Sequence, residues 1–289
     1  MRLLPYDMDI ISPKKPTFVF MKNVLELSWY ATLPLVFCKR EDKTCSNPLG
    51  FGSGFFLLYR GQYVFVTADH NTHSEDFEKG ERTSAENTVC IMTGQSDYET
   101  LSTALIPITG FYNFTSFDLK DPNFSDFPDL VDISFKVFEE NSIPMKILSP
   151  RLEVEGEILV EEGEKILIPM EDPIPLSEGD FCLVTGSVQN RIVSGIQIQG
   201  GAAIHIDLKF SELDRDGYYV MSYPKPVKRE EEWAGLSGAP VFNHKGCCIG
   251  MIIRVTEDYD TVTVVPIHKI LKLIDAAMCI QKQSNAHPI

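Results

Sequence analysis

The sequence predicts a mostly β protein that ends in a helix, and three observations support this prediction. Short segments rich in Val, Ile, Phe and Tyr alternate with clusters of Gly, Asn, Asp and Pro, which is typical of β-sandwiches and β-barrels. The composition, 44% hydrophobic and 23% charged, can supply folded cores and argues against a disordered chain. Between Pro266 and Met278 apolar residues recur at helical spacing, which predicts a terminal helix packed on the barrel before it.

The predicted strands are LPLVFCK, GSGFFLLY, QYVFVTA, TVCIMTG, DISFKVF, DFCLVTGSV, AAIHIDL, YYVMSY, APVFN, CCIGMIIRV and TVTVVPI. The polar segment from Thr93 to Asp129 has no sustained period and is predicted to be a long surface loop. A chain of 289 residues has room for two lobes, and its composition shifts to Pro, Glu and Ile between Glu139 and Ser177. We therefore predict an N-terminal lobe over residues 1–150 and a C-terminal lobe over residues 151–289.

The charge balance argues against several classes of partner. The 26 Lys and Arg residues minus the 41 Asp and Glu residues give a net charge of −15, which repels nucleic acid and anionic lipid surfaces. The best apolar run, residues 24–38, contains Glu26 and Pro34 and falls short of the roughly 18–20 residues that cross a bilayer. The N-terminus lacks the pattern of a secretory signal. We expect a cytoplasmic protein, or one whose signal has already been removed, without nucleic-acid or membrane partners.

The cysteine pattern indicates neither a disulfide framework nor a metal site. The chain has seven cysteines, an odd number, without a repeated short spacing. Cys247 and Cys248 lie near His244, but adjacent residues of a strand point to opposite faces and do not readily bind one ion. We expect mostly buried free thiols, and neither a metal nor a cofactor.

Three side chains could together perform acyl transfer by a serine. Ser237 lies between glycines in a sequence that allows a sharp turn, so the amides of Gly235 and Ser237 could hold an oxyanion. His70 follows an apolar strand and can exchange protons near neutral pH, although His73 is a competitor for this role. Asp132 opens a half-buried strand, where a carboxylate needs a partner. Taken singly, each also fits an ordinary glycine turn, an exposed histidine or a turn-capping aspartate.

Together these motifs resemble the trypsin-like serine peptidases, whose triad also follows the order His, Asp, Ser along the chain. The resemblance spans residues 49–278 and is closest to bacterial cytosolic and HtrA-type protease domains, without a PDZ domain. It departs at Leu236, where secreted trypsins have an aspartate, and at Asp69, where a small residue is usual. The matching motifs are Gly52-Ser53-Gly54-Phe55, Val66-Thr67-Ala68-Asp69-His70, Asp132-Ile133-Ser134 and Gly235-Leu236-Ser237-Gly238-Ala239-Pro240.

The resemblance implies two six-stranded antiparallel β-barrels with a C-terminal helix, and a serine endopeptidase that cleaves protein or peptide substrates. The N-terminal lobe would carry His70 and Asp132, and the C-terminal lobe would carry Ser237. Glu231 and Trp233 would line the substrate pocket, and Glu231 would favour Lys or Arg at the cleaved position. Alternatively, the three consecutive glutamates Glu230, Glu231 and Glu232 form a solvated acidic loop.

Two further functions remain open. The same fold could be a catalytically inert module that holds a peptide or partner protein between the barrels, or an esterase that uses the same side chains. A latent peptidase completed by a regulatory protein partner also fits the long connections of the chain.

Overall fold

A computed structural model of the chain describes residues 2–3, 23–81, 85–93, 104–114, 124–128, 130–138, 147–170, 173–194, 197–228 and 232–286. The helices in these ranges are α1 (Val24–Ala31), α2 (Asp69–Thr72), α3 (Ser74–Lys79) and α4 (Ile267–Ala286). The strands as far as the middle of the chain are β1 (Arg2–Leu3), β2 (Leu33–Cys38), β3 (Pro48–Tyr59), β4 (Gln62–Thr67), β5 (Thr88–Thr93), β6 (Ala104–Ile108), β7 (Ser134–Phe138), β8 (Leu148–Ser149), β9 (Leu152–Val154), β10 (Glu157–Val160), β11 (Gly163–Glu164) and β12 (Ile166–Met170). The remaining strands are β13 (Phe181–Ser194), β14 (Gln197–Leu213), β15 (Tyr219–Ser222), β16 (Pro240–Asn243), β17 (Cys248–Val255) and β18 (Thr261–Pro266).

The first lobe is a curled sheet in which antiparallel strands follow the order β6-β5-β2-β3-β4-β7. A backbone bridge between Tyr112, just after β6, and Phe135 in β7 joins the two ends of this sheet. Strand β3 is 12 residues long, so its first half pairs with β2 and its second half pairs with the parallel strand β12. Strand β1 extends the sheet further by pairing with β12.

The second lobe is a closed barrel of six strands in the order β13-β14-β15-β18-β17-β16. Strands β13 and β14 are 14 and 17 residues long and form an extended hairpin. Helix α4 follows β18 directly and buries Ile267, Ile270 and Ile274. The predicted fold class, a mostly β double barrel with a C-terminal helix, is confirmed.

The chain passes from the first sheet to the second barrel between Met170 and Phe181, because β12 pairs with β3 and β13 belongs to the barrel. The predicted division at residue 150 thus precedes a strand of the first sheet. Part of the predicted loop from Thr93 to Asp129 is strand β6, a correction to the sequence-based expectation. Its five residues, ALIPI, are too short and too isolated among polar residues to show a strand period. The rest of that segment lies largely outside the described residues.

Helix α1 was not predicted from the sequence, and it lies between the lobes. Asn23 caps its start, since the Asn23 Oδ1 accepts a hydrogen bond of 2.9 Å from the backbone amide of Glu26. The hydroxyl of Ser28 lies 2.9 Å from that of Thr185 in β13, and both side chains are fully buried. The helix therefore ties the N-terminal part of the chain to the second barrel.

One apolar cluster runs through both lobes and fixes the cleft between them. It contains Phe55 and Phe135 from the first sheet, Met251 and Ile253 from the barrel, and the buried face of α4. Of the seven cysteines, Cys38, Cys45, Cys90, Cys182 and Cys248 are buried, Cys247 is half-buried and Cys279 is exposed. Within the described ranges, every helix is too short or too polar to cross a membrane.

Candidate active site

His70 and Asp132 meet because they follow and precede two paired strands. In the antiparallel ladder of β4 and β7, Thr67 lies opposite Ser134, so the three residues after Thr67 approach the two residues before Ser134. The His70 Nδ1 lies 2.8 Å from the Asp132 Oδ2. The backbone amide of His70 also donates to the Asp132 Oδ1 over 3.0 Å. The carboxylate therefore holds both the ring and the main chain of the histidine.

The environment of this pair differs for its two members. The Asp132 side chain is 8% exposed, whereas the His70 side chain is 27% exposed. With its Nδ1 hydrogen donated to the carboxylate, the imidazole keeps the lone pair of Nε2 free to accept a proton. Phe77 packs edge-on against the ring, with centroids 5.9 Å apart.

The Ser237 loop is anchored to the first lobe through its carbonyl groups. The Ser237 carbonyl accepts hydrogen bonds from the Ser53 backbone amide over 2.7 Å and from the Asn71 Nδ2 over 3.1 Å. The Ser53 hydroxyl donates to the Gly235 carbonyl over 2.7 Å. Because Asn71 directly follows His70, the main chain of Ser237 is held beside the histidine. The sequence motif contained Ser53, but sequence reasoning gave it no role.

Close packing makes glycine necessary at two positions of this loop. A Cβ on Gly238, which has φ +92°, would lie 2.0 Å from the Ser53 carbonyl oxygen. A Cβ on Gly235, which has φ +111°, would lie 2.5 Å from the Ser187 carbonyl oxygen. Both contacts are too short for any side chain, so β3 and β13 approach the loop from two sides.

The backbone before Ser237 has the features of a type II turn. The Leu236 amide donates to the Trp233 carbonyl over 3.0 Å, and Gly235 is the third residue of this four-residue turn, with positive φ. Compared with a type I turn, the central peptide is flipped, which reverses the direction of the Gly235 amide. With the Gly235 and Ser237 carbonyls fixed on the first lobe, this geometry is compatible with amides that face an oxyanion.

The Ser237 hydroxyl itself does not contact the histidine. Its hydrogen bond goes to the Ile253 carbonyl over 3.4 Å, and among the described residues it has no hydrogen bond to His70. Catalytic hydrogen bonds are often long or misaligned in structures without substrate. The structure thus brings together His70 and Asp132. It places the backbone of Ser237, but not its hydroxyl, against helix α2, which contains His70 and Asn71.

Asp69 and His73 form a second, fully buried network behind this site. The His73 Nδ1 lies 2.9 Å from the Asp69 Oδ1, which also accepts hydrogen bonds from the hydroxyls of Thr72 and Ser134. Burial lowers the pKa of His73. At 4% exposure and with this partner, His73 is poorly placed to compete with His70 for a substrate proton. The network fixes α2 and the start of β7, and thereby the approach of His70 to Asp132.

The two residues predicted to line the substrate pocket have different outcomes. Glu231 lies outside the described residues. Trp233 is 3% exposed, and its ring stacks on that of His205 with centroids 3.7 Å apart. Burial lowers the pKa of His205, whose ring nitrogens lie 3.0 Å from the Tyr223 hydroxyl and from the Glu232 carbonyl. A contact between Trp233 and substrate stays a prediction.

Among the described residues, no group of three or more His, Cys, Asp or Glu side chains is placed to hold a metal ion. No family model and no curated protein matches the sequence. One solved structure that matches is that of HBP, with a TM-score of 0.50, 11% identity, and coverage of 88% of this chain and 93% of that one. The chain has the trypsin-like serine peptidase fold.

Two further solved structures are similar to the chain. A protease from M. tuberculosis in its active form matches with a TM-score of 0.40 and 13% identity, over 84% of this chain and 78% of that one. A serine endoprotease from Yersinia pestis matches with a TM-score of 0.48 and 10% identity, over 89% of this chain and 67% of that one. In this chain, His70, Asp132 and the Ser237 loop meet in the cleft between the two lobes.

Proposed function

We propose that the chain is a serine endopeptidase that hydrolyses peptide bonds with His70, Asp132 and Ser237 as its triad. The observation that carries the proposal is that both the ring and the backbone amide of His70 are hydrogen-bonded to the Asp132 carboxylate. Asn71, the residue after His70, holds the carbonyl of Ser237. An isolated carboxylate at 8% exposure is costly, and a histidine held in this way is suited to act as a base.

In the proposed reaction, the Ser237 hydroxyl exchanges the Ile253 carbonyl for the His70 Nε2, which removes its proton as the oxygen attacks the substrate carbonyl. The Gly235 and Ser237 amides stabilise the tetrahedral oxyanion. Asp132 stabilises the imidazolium, which then gives its proton to the leaving amine. Water releases the acyl group by the same steps in reverse.

A second candidate function is the inert binding module, and one observation favours it. The Ser237 hydroxyl is directed to the Ile253 carbonyl rather than to His70, as a serine without a nucleophilic role could be. Such a module would hold a peptide between the lobes without cleaving it.

Cleavage of a peptide library, followed by mass spectrometry of the new termini, separates these functions. A peptidase produces new termini with the unmodified chain and none with Ser237→Ala or His70→Ala. Peptides that bind all three proteins but stay intact would establish the binding module instead.

The same library tests the proposed preference for Lys or Arg before the cleaved bond, which rests on Glu231. Its neighbour Glu232 is already paired, since its Oε1 accepts a hydrogen bond of 2.8 Å from Lys225. Equal cleavage after Ala and Arg would exclude the preference.

A further inference from the structure

A cavity of about 170 Å³ lies beside the Ser237 loop, between helix α1, the connection that contains β8 to β11, and the β13–β14 hairpin. Its apolar walls include Trp29, Met92 and Ile198, and its polar walls include Lys165, Ser187 and Asn190. The volume far exceeds the roughly 15 Å³ that one water molecule requires. The cavity therefore has room for a small organic group.

Lys165 brings a buried amino group to this cavity, and its Nζ lies 5.2 Å from the centroid of the Trp29 ring. The residue is 3% exposed, and its Nζ donates one hydrogen bond, of 2.7 Å, to the Trp29 carbonyl. Among the described residues, no carboxylate pairs with it. Burial lowers the pKa of Lys165 to about 7, with no nearby anion to oppose the shift. In its charged form the amine carries three donors, and among the described residues only the Trp29 carbonyl accepts one of them, a costly state at this depth.

A second donor lies on the wall formed by the β13–β14 hairpin. The Ser187 hydroxyl donates to the Asn190 Oδ1 over 2.7 Å, and the Asn190 Nδ2 donates to the Ser187 carbonyl over 3.2 Å. This fixes the orientation of the amide and leaves its second hydrogen without an acceptor among the described residues. The cavity thus offers donors from two elements and, apart from carbonyls already in use, little that would repel an anion.

The same two residues contact the turn before Ser237. The Ser187 carbonyl oxygen lies 2.5 Å, and the Asn190 Nδ2 3.3 Å, from the point where a Cβ on Gly235 would stand. An occupant of the cavity would therefore touch a wall that also supports the Gly235 peptide.

We propose that this cavity binds a carboxylate, with Lys165 and Asn190 as donors and with Trp29, Met92 and Ile198 around the attached carbon chain. A carboxylate supplies the acceptors that the buried ammonium lacks, and its charge offsets the cost of burying that cation. The carboxylate could belong to a free small acid or to a peptide that enters the cleft. The site does not depend on catalysis and can be tested in a protein that cannot cleave peptides.

The test measures the melting temperature of the Ser237→Ala protein in sodium acetate, propionate or butyrate against sodium chloride at equal ionic strength. A ligand that binds the folded state raises this temperature with concentration. We expect a rise that is lost in Ser237→Ala with Lys165→Met, an apolar replacement of similar length. The rise is expected to persist with Lys209→Met, which removes an exposed lysine from strand β14.

A second arm distinguishes the two sources of the carboxylate. Capped peptides that contain Asp are compared with the same peptides containing Asn. A rise with the free acids assigns the site to small acids, and a rise only with Asp peptides assigns it to a peptide carboxylate. No rise with any carboxylate, or an equal rise with Lys165→Met, would overturn the proposal. Should Lys165→Met fail to fold, Asn190→Ala is expected to weaken carboxylate binding several-fold, and unchanged binding would again overturn it.

Discussion

Replacement of Ser53 by alanine tests whether the first lobe holds the oxyanion turn. The Ser53 side chain is fully buried, and its hydroxyl donates over 2.7 Å to the Gly235 carbonyl. Loss of this donor leaves a buried carbonyl unsatisfied, so we expect the free energy of unfolding to fall by about 1–3 kcal/mol. The type II turn loses a hydrogen bond worth about 1 kcal/mol, so labelling of Ser237 by a fluorophosphonate should slow by roughly fivefold. Loss of a complete oxyanion donor would slow it by about 10²–10³-fold, which sets the upper limit.

A matched control is Ser28→Ala, which also removes a buried hydroxyl that links the two lobes. Its unfolding free energy should fall similarly, because Thr185 loses its partner, while the labelling rate should stay that of the unmodified chain. Equal labelling rates for Ser53→Ala and Ser28→Ala would refute a specific role of Ser53 in positioning the turn.

Three further predictions concern Asp132, Gly238 and His205. Asp132→Asn should slow fluorophosphonate labelling by about 10⁴-fold, since a neutral amide does not stabilise the imidazolium, and a full rate would exclude Asp132 from the triad. Gly238→Ala should lower the free energy of unfolding in urea by more than the roughly 1–2 kcal/mol of left-handed backbone strain, because its Cβ would lie 2.0 Å from the Ser53 carbonyl oxygen. The control Gly61→Ala, at φ +76° with open space, should cost only that strain. Burial lowers the folded-state pKa of His205, so below about pH 6.5 the unfolded chain binds more protons than the folded chain. The free energy of unfolding should therefore decrease as the pH is lowered below that value. This acid loss should be smaller in His205→Phe, and an unchanged pH profile would contradict it.

The strands and the terminal helix were predictable because their apolar periods are local. Helix α4 was predicted over residues 266–278 and extends to Ala286, beyond its apolar stripe. Helix α1 escaped prediction because it is only eight residues long, contains the strand-favouring Val24, Trp29 and Tyr30, and depends for its start on a single capping asparagine. Strand β12 also escaped prediction, because Pro169 is unusual within a strand and acidic residues flank the segment. Its position is set by pairing with β3.

The candidate site was predictable where chemistry requires a rare residue type in a recognisable motif. His70 and Asp132 were named from the sequence, and the ladder of β4 and β7 explains why they meet. The Ser53 and Asn71 anchors were not named, since hydrogen bonds to the carbonyls of a distant loop leave no local pattern. The same applies to Lys165, whose burial depends on packing between segments far apart in the chain.

The most direct test of the proposed triad is to identify the residue that a fluorophosphonate labels, by mass spectrometry of peptides from the intact protein. The account predicts modification of Ser237, no modification in Ser237→Ala, and a strongly reduced rate in His70→Ala. An unlabelled Ser237 in a folded protein, or labelling that is indifferent to His70, would contradict the assignment of His70 and Ser237 as base and nucleophile.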